Sequence, residues 1–504
     1  MKNQQCLEHQ LNRRQFLRQT ACAALGYTGL VSTISHLSLV NSALAQTNLS
    51  NYRALVIVFL YGGNDSNNML IPRLGHPSYA PYKSTRNVLG ILDENDPDYQ
   101  SSNPHSIPLV TTDGNYGVHH RLQPMADLFN DGDLAFVANV GSLTHPILTQ
   151  DDFINGTVPQ PEHLFSHTNQ QMQWQSSIPD QAFATGWGGR IADLLYGAAS
   201  DSDAVSMNIS LDGINNLQVG NQVAQYSVDY QGAIPLVGFG QNYSGAWDGS
   251  NYTNNTSGKR LKAFEDIMNF SRSHLLEAGY NDVVRRARAN EGLIGEAAAA
   301  ADASGVDFDA IFGGDTGSLI GQLKMIAKLI AGRGSLGNSR QIFFCSAGGY
   351  DTHAAQRDAH DNLMEELGAS LKAFSDAMIA LGVNDDVLTI SHSDFARTLS
   401  PNGTDASSTG TDHGWGGHQI VMGGGVNGSR IYGHFPNLIL DTGRDVDQVR
   451  GRGRWIPTTS VDQYLASSAR WLGIDNSALS TIFPNLSRFD DPFSGPANLG
   501  YVTL

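Results

Sequence analysis

The hydrophobic positions of this chain are concentrated in four runs, each of which ends abruptly in small or polar residues. The runs are ALVIVFLY at 54–61, LAFVANVG at 134–141, QIFFCSAGG at 341–349 and DVLTISHSD at 386–394. Apolar runs of this length without strict alternation are typical of strands that are buried on both faces. The pattern therefore predicts a central sheet built from these four segments.

Helical spacing appears between the third and fourth runs. Gly382 acts as a stop signal after a series of apolar residues three or four positions apart, namely Leu363, Leu367, Leu371, Phe374 and Met378. A strand, a helix and a further strand form a right-handed parallel crossover. We therefore predict an α/β fold with a mostly parallel central sheet flanked by helices.

The region 191–338 has a different composition from the rest of the chain. Residues 191–257 are rich in Gly, Asn, Ser and Tyr with short apolar alternations, which predicts strands and long loops. Residues 258–338 return to helical spacing, as in Leu319, Leu323 and Ile326. We expect this region to form a substrate-facing cap or helical insertion within one domain.

A twin-arginine export signal is indicated at the N-terminus. The segment NRRQFLRQ at 12–19 carries the arginine pair, a modestly apolar stretch continues to about residue 40, and ALAQ at 43–46 supplies small residues. This order matches a basic start, an apolar region and a cleavage site, with a basic N-terminal helix as the alternative. We predict a signal peptide over residues 1–45 and a single α/β domain over residues 46–504.

Export and composition together limit the partners of this protein. Cleavage after Ala45 removes two of the three cysteines and leaves only Cys345, so no intrachain disulfide can form. The formal charge of −17 argues against a nucleic-acid partner. No later apolar run approaches the roughly 20 residues that span a bilayer. We expect a periplasmic or extracellular protein that has no transmembrane anchor and uses the twin-arginine translocase.

Potential ligand groups follow three of the four predicted strands. Those at the ends of the first, third and fourth strands are Asp65, Asp351, His353 and Asp394. The segment TDHGWGGH at 411–418 follows closely, and its glycines allow the backbone to bend tightly around His413. Ligand groups in parallel sheets collect beyond the carboxyl ends of the strands. These residues are therefore expected to converge at one edge of the sheet.

The residue types indicate a metal site. Aspartate and neutral histidine are ligands that zinc and manganese accept, whereas a set of carboxylates alone favours calcium or magnesium. We predict that one or two divalent ions are bound by Asp65, Asp351, His353, Asp394 and His413. A helix cap or a turn residue is the alternative for each aspartate taken alone.

Several motifs resemble those of a bacterial exported family known as domain of unknown function 1501. They include LVIVFLYGGNDSNNMLIP at 55–72, SHTNQQMQWQ at 166–175, TGWGGR at 185–190, GGYDTHAAQ at 348–356, SDFARTLSPNG at 393–403 and TDHGWGGHQIVMGGGVNGSRIYG at 411–433. The resemblance spans nearly the whole mature chain. It implies a branch of the alkaline phosphatase and sulfatase superfamily, whose members bind two divalent ions.

The superfamily pattern can be transferred residue by residue. By order along the chain, its ion ligands correspond to the same five residues already named. One departure is visible, because the Asp-His dipeptide of the superfamily is Asp394 followed by Phe395 here. The resemblance therefore leaves one of the two ion sites without a nitrogen ligand.

The resemblance also implies a nucleophile at the start of a helix. Ser166 in FSHTNQ is the nearest match, and His167 beside it is a ligand, an acid or a residue of the helix start. The alternative for Ser166 is a helix N-cap. We expect Ser166 and His167 to be the catalytic residues.

Other polar residues are expected to support this site or the fold. Asp412 and His418 are expected beside the metal ligands, and Arg190 is expected to hold an anionic oxygen or to form a structural salt bridge. His119 and His120 are expected to be hydrogen-bonded polar residues without a role in the site.

Two classes of function remain open from the sequence. The first is an exported metal-dependent hydrolase that acts on an anionic phosphate or sulfate ester, carried by a small molecule or a polymer. The second is a degenerate member of the fold that acts as a secreted binding or assembly protein. The missing histidine after Asp394 favours the second class, whereas the set of ligands favours the first.

Overall fold

The computed structural model describes residues 49, 51–112, 114–200, 205–233, 245–270, 275–314, 317–442, 444–446 and 451–503. The signal peptide predicted for residues 1–45 lies outside the described residues. Residues Leu49–Leu504 form one compact unit. None of the helices in the described part of the chain is long and apolar enough to cross a membrane.

Thirteen strands among the residues that the structure describes build one large and one small sheet. They are β1 (Arg53–Leu60), β2 (Leu70–Pro72), β3 (Ile107–Pro108), β4 (Tyr116–Val118), β5 (Leu134–Gly141), β6 (Asn208–Ser210), β7 (Tyr226–Asp229), β8 (Gly232–Ala233), β9 (Arg340–Ala347), β10 (Val387–Ser393), β11 (Gly417–Met422), β12 (Ile431–Gly433) and β13 (Thr459–Ser460). The large sheet has the order β12-β5-β11-β10-β1-β9-β6-β7-β8, with β13 beside β5. The small sheet has the order β2-β4-β3.

The helices are distributed between and after these strands. They are α1 (Ser66–Met69), α2 (Tyr79–Arg86), α3 (Gln123–Asp131), α4 (Gln150–Ile154), α5 (His167–Ser176), α6 (Trp187–Leu195), α7 (Thr256–Asn269), α8 (Leu275–Asp302), α9 (Phe308–Phe312), α10 (Leu319–Ala331), α11 (Arg333–Leu336), α12 (Gln356–Ala380), α13 (Val461–Trp471) and α14 (Leu479–Ile482). The fold is therefore a mixed α/β architecture around a large sheet.

The four apolar runs form β1, β5, β9 and β10, as predicted. β1 is the central strand, with β9 and β10 parallel to it on either side. All residues of β5, β9 and β10 are buried, which explains why these segments lack alternation. The prediction of a mostly parallel central sheet flanked by helices is confirmed.

Strand β11 of the large sheet runs against both of its neighbours and decides where the glycine-rich segment lies. β11 is antiparallel to both β10 and β5. A strand that runs in the opposite direction begins at the edge where its parallel neighbours end. The segment TDHGWGGH, which leads into β11, therefore reaches the carboxyl edge of β1, β9 and β10.

Helix α12 joins β9 to β10 and packs in the main core. Leu367, Leu371, Phe374 and Met378 are buried there, and Leu363 packs against them. Gly382 follows the helix in a left-handed conformation with φ +67°, which glycine adopts without steric cost. The helix predicted from the apolar spacing is thus present.

Part of the region 191–338, which was expected to form a cap or helical insertion, belongs to the large sheet. β6 pairs in parallel with β9, and β7 and β8 continue the large sheet beyond it. The helical part also belongs to the main core, where Leu323 and Ile326 of α10 are fully buried. All three residues of β6 are buried, although Ile209 alone of them is apolar.

Candidate metal centre

Histidine and aspartate side chains meet at the carboxyl edge of the large sheet. Asp351 and His353 follow β9, His413 precedes β11, and His167 begins α5. The Oδ1 atom of Asp351 lies 3.5 Å from Nε2 of His167, 3.0 Å from Nε2 of His353 and 3.5 Å from Nε2 of His413. The Nε2 atoms of His353 and His413 are 2.9 Å apart. Donor atoms that share one zinc-sized ion have separations of about 3 to 4 Å.

The opposite ring nitrogens of two of these histidines are held by acceptors. Nδ1 of His167 lies 2.6 Å from Oδ2 of Asp394. Nδ1 of His413 lies 2.8 Å from the carbonyl oxygen of Phe165. An acceptor at Nδ1 keeps the ring hydrogen there, so the lone pair of Nε2 points toward the shared centre.

His353 lies beside this group. Its Nδ1 atom lies 3.4 Å from Oδ1 of Asp412, whose other oxygen pairs with Arg452. Its Nε2 atom lies 2.9 Å from Nε2 of His413, and the tautomers of the two rings decide which nitrogen donates. His167, Asp351 and His413 each place one ligand atom within 4.8 Å of the others, so these three residues fit a divalent ion.

A buried arginine sets the charge of Asp351. Nη1 of Arg397 donates to Oδ1 of Asp351 at 2.7 Å, and the Arg397 side chain is fully buried. Burial acts to raise the pKa of Asp351, but the hydrogen bond and charge of Arg397 outweigh it and lower the pKa. Asp351 is therefore a carboxylate at neutral pH.

His413 and His167 differ in how strongly a proton competes with a metal ion for the ring nitrogen. Burial lowers the pKa of His413 below its ordinary value, which keeps the ring neutral and able to bind a metal. The hydrogen bond to Asp394 raises the pKa of His167. Protons therefore compete more strongly at His167 than at His413.

Asp394 lies at the centre but supports a ligand rather than facing the shared point. Its Oδ2 atom accepts hydrogen bonds from Gln171 at 2.9 Å and from the backbone N–H of Gly62 at 3.2 Å, in addition to His167. Phe395 follows Asp394, and its ring centre lies 4.7 Å from that of His167 and 4.6 Å from that of His413. His167 of α5 therefore packs between Asp394 and Phe395.

Asp65, which was predicted to be a metal ligand, is not one of the three described residues whose ligand atoms lie close enough to share an ion. The side chain is fully buried, and Oδ2 pairs with Arg86 and accepts a hydrogen bond from Gln356. Arg86 also donates at 3.0 Å to the carbonyl oxygens of Thr398 and Leu399. Asp65 therefore neutralises a buried arginine that ties α2 to the segment after β10.

Two further residues lie apart from the site, contrary to expectation. His418 is buried in β11, its Nδ1 accepts a hydrogen bond from the backbone of Asn139 at 3.2 Å, and its ring stacks on Phe435. Arg190 donates to the carbonyl oxygens of Ile482 and Ser176, so it holds α6 to neighbouring chain segments. Of the residues expected beside the ligands, Asp412 is the one that contacts His353.

Ser166 occupies the N-cap position of α5, directly before His167. Its hydroxyl oxygen accepts a hydrogen bond from Nδ2 of Asn169 at 2.8 Å. The hydroxyl hydrogen remains available to a second acceptor. The position is that of the expected cap, and it places the serine next to a residue of the centre.

The glycines of TDHGWGGH permit close packing rather than sharp bends. A Cβ atom on Gly410, just before this segment, would lie 2.2 Å from the carbonyl oxygen of Thr352. A Cβ atom on Gly414 would lie 2.7 Å from the carbonyl oxygen of Ala396. Neither glycine has a positive φ. The absence of side chains therefore lets the segment that carries His413 lie directly against its two neighbours.

Besides Arg397, two further arginines at the centre were missed by sequence reasoning. Nε of Arg454 donates to the carbonyl oxygen of His413 at 2.8 Å, and its guanidinium lies 4.5 Å from the centre of the Phe165 ring. Arg452 pairs with Asp412. The run RGRGR at 450–454 is a detectable signal, because the chain has only 31 basic residues in total.

A second group of histidines is held by hydrogen bonds. His119 and His120 both point Nε2 at the carboxylate of Asp361, at 3.3 and 3.1 Å. Nδ1 of His119 accepts a hydrogen bond from the backbone N–H of Arg121, so the ring hydrogen is on Nε2 and points at Asp361. This tautomer favours a structural role over metal binding, as the sequence suggested.

Comparisons with known proteins give a family but no activity. Among curated proteins, none matches this chain. The solved structure titled "Crystal structure of Ps i-CgsB in complex with k-i-k-neocarrahexaose" is similar at 6% identity, covers 88% of this chain and 78% of that chain, and has a TM-score of 0.31. A likeness at this level carries no argument. The model of the family described as "Protein of unknown function (DUF1501)" matches residues 52–450. Since this match covers most of the sequence, the chain belongs to the DUF1501 family.

Proposed function

We propose that this protein is an exported metal-dependent hydrolase that acts on a phosphate or sulfate ester, as a divergent relative of the alkaline phosphatases and sulfatases. One observation carries the proposal: His167, His413 and Asp351 bring one ligand atom each within 4.8 Å of one another, while an acceptor holds Nδ1 of both histidines. Such orientation by outer partners is typical of metal-ligating histidines.

The donor set favours zinc or manganese among the divalent ions. Two ring nitrogens and one carboxylate oxygen suit these ions better than calcium or magnesium, which prefer oxygen ligands. When bound, such an ion would polarise an ester oxygen and lower the pKa of a nucleophile. The residues of the chain supply the orientation of the ligands and the surrounding charge.

The charges around the centre suit an anionic substrate. Three guanidinium groups and three carboxylates lie around the histidines, namely Arg397, Arg452, Arg454, Asp351, Asp394 and Asp412. Their formal charges cancel, so a divalent ion would make the site net positive within a strongly acidic protein. A local positive potential attracts phosphate or sulfate groups. Ser166 is the proposed nucleophile because it directly precedes His167.

A binding or assembly role is the second candidate function. It is favoured by Asp65 and Asp394, whose carboxylates are engaged by Arg86 and by His167 rather than by a second ion site. A single ion held by Asp351 and two histidines would then serve structure or partner binding. Localisation in the periplasm or outside the cell is proposed for either function.

Hydrolysis of model esters tests the proposed function. Mature protein supplied with zinc or manganese is expected to cleave p-nitrophenyl phosphate or p-nitrophenyl sulfate, and a chelator is expected to remove both the ion and the activity. Asp351→Asn is expected to lose activity, whereas Asp358→Asn, which alters an exposed aspartate of α12, is expected to retain it. Metal binding without turnover of either ester in the wild-type protein would favour the second function.

Export by the twin-arginine route can be tested at the arginine pair. Arg13→Lys combined with Arg14→Lys is expected to leave full-length protein in the cytoplasm, because the translocase recognises the pair rather than the mature fold. Fractionation and immunoblotting measure the precursor, and Arg18→Lys serves as a matched control outside the pair. Mature protein in the periplasm of the double variant would reject this route.

A further inference from the structure

A chain of buried hydrogen bonds runs from the ion pair of Asp65 to the metal centre. Nε2 of Gln356 donates to Asp65, and Oε1 of Gln356 accepts from the Thr411 hydroxyl at 2.6 Å. The same hydroxyl oxygen accepts from Nε of Arg397 at 3.2 Å, and Arg397 donates to Asp351 at 2.7 Å. Each contact determines the direction of the next.

We propose that Gln356 and Thr411 are positioning residues that fix Arg397, and through it Asp351, for ion binding. The inference rests on the proposed function only in that the centre binds a divalent ion. Both side chains are buried, and each makes two hydrogen bonds, so neither can rotate without breaking one of them.

The direction of the hydrogen bonds supports this role. A hydroxyl has one hydrogen, and Thr411 uses it on Gln356, so its oxygen presents a lone pair to Arg397. Arg397 also donates to the carbonyl oxygens of Thr411 and Gly62. Its planar guanidinium is thereby fixed at Nε as well as at both terminal nitrogens, which leaves one orientation for the donor that faces Asp351.

Two buried ion pairs close to each other explain why the Arg397 side chain has to be held in one orientation. Arg397 and Arg86 are both fully buried, and the charge of Arg397 adds to burial in lowering the pKa of Arg86. Asp351 and Asp65 are the carboxylates paired with them. Gln356 and Thr411 lie between the two ion pairs and connect them with neutral groups. The arrangement keeps Arg397 directed at Asp351 rather than at Asp65.

Metal affinity of isosteric variants tests the proposal. Thr411→Val removes the hydroxyl and keeps the shape, and it is expected to bind Co²⁺ about 10- to 100-fold more weakly, the usual effect of losing an outer partner of a metal ligand. Thr411→Ser retains the hydroxyl and is expected to restore the affinity. Gln356→Leu is expected to resemble Thr411→Val. Calorimetry and the visible spectrum of Co²⁺ measure binding without reference to activity.

A neighbouring threonine provides the matched control. Thr409 is also buried, and its hydroxyl has no hydrogen-bond partner among the described residues, so Thr409→Val is expected to bind Co²⁺ as the wild type does. Wild-type affinity in folded Thr411→Val and Gln356→Leu would overturn the positioning role. Failure of the wild-type protein to bind Co²⁺ would instead reject the metal centre and the inference with it. If Thr411→Val does not fold, the comparison of Gln356→Leu with Thr409→Val decides.

Discussion

His413→Ala is expected to remove the bound ion, whereas His418→Ala is expected to retain it. His413 presents Nε2 to the centre at 2.9 Å from His353 and 3.5 Å from Asp351. Loss of an outer partner alone weakens metal binding about 10- to 100-fold, so loss of a ligand is expected to cost more than about 100-fold. Elemental analysis and Zn²⁺ titration of the two purified variants measure the difference.

The two histidines form a controlled pair because they lie five positions apart on the same segment. His418 is buried and stacks on Phe435 with ring centres 4.8 Å apart, so His418→Ala is expected to lower stability without loss of the ion. Equal metal content in both variants would show that the segment does not bind an ion. Loss of the ion in the folded His418 variant would place that residue in the centre after all.

Asp65→Ala is expected to be among the most destabilising substitutions in this protein. It would leave the fully buried Arg86 without its carboxylate partner. Removing one partner of a buried ion pair typically costs about 3–5 kcal/mol of unfolding free energy. Urea denaturation of the mature protein measures this loss.

Denaturation in a chelator separates this explanation from the earlier prediction that Asp65 is a ligand. A structural partner of Arg86 is expected to destabilise the metal-free protein by the same amount as the metal-loaded protein. A lost ligand would reduce stability only when the ion is present. Asp98→Ala is the control, because Asp98 is exposed and pairs with Lys83 at the surface, where such pairs contribute about 0–1 kcal/mol.

The sheet and its principal helix could be predicted because their signals are local. The apolar runs of β1, β5, β9 and β10 indicate strands buried on both faces. The apolar spacing from Leu363 to Met378 indicates the buried face of α12. The direction of β11 could not be predicted in this way. The sequence of its six residues does not indicate that β11 pairs antiparallel to β10, and this pairing brings His413 to the sheet edge.

The site was predictable where a residue type and a strand end coincide, as for Asp351 and His353. The role of Asp65 depends on Arg86, whose guanidinium reaches it only after α2 has folded back, and no local pattern records that contact. His167 was expected to be catalytic because it follows Ser166. The structure instead places it with Asp351 and Asp394, which lie far away in the sequence.

The central position of β1 has a consequence for the time course of synthesis. β1 is the first strand made, yet its neighbour β9 follows 287 residues later, from Arg53 to Arg340, and β10 later still. At translation rates of 5–20 residues per second, its apolar edges remain unpaired for roughly 15–60 s. A chaperone that covers the nascent strand Ala54–Leu60 during this interval would protect the chain from aggregation until both neighbours have emerged from the ribosome.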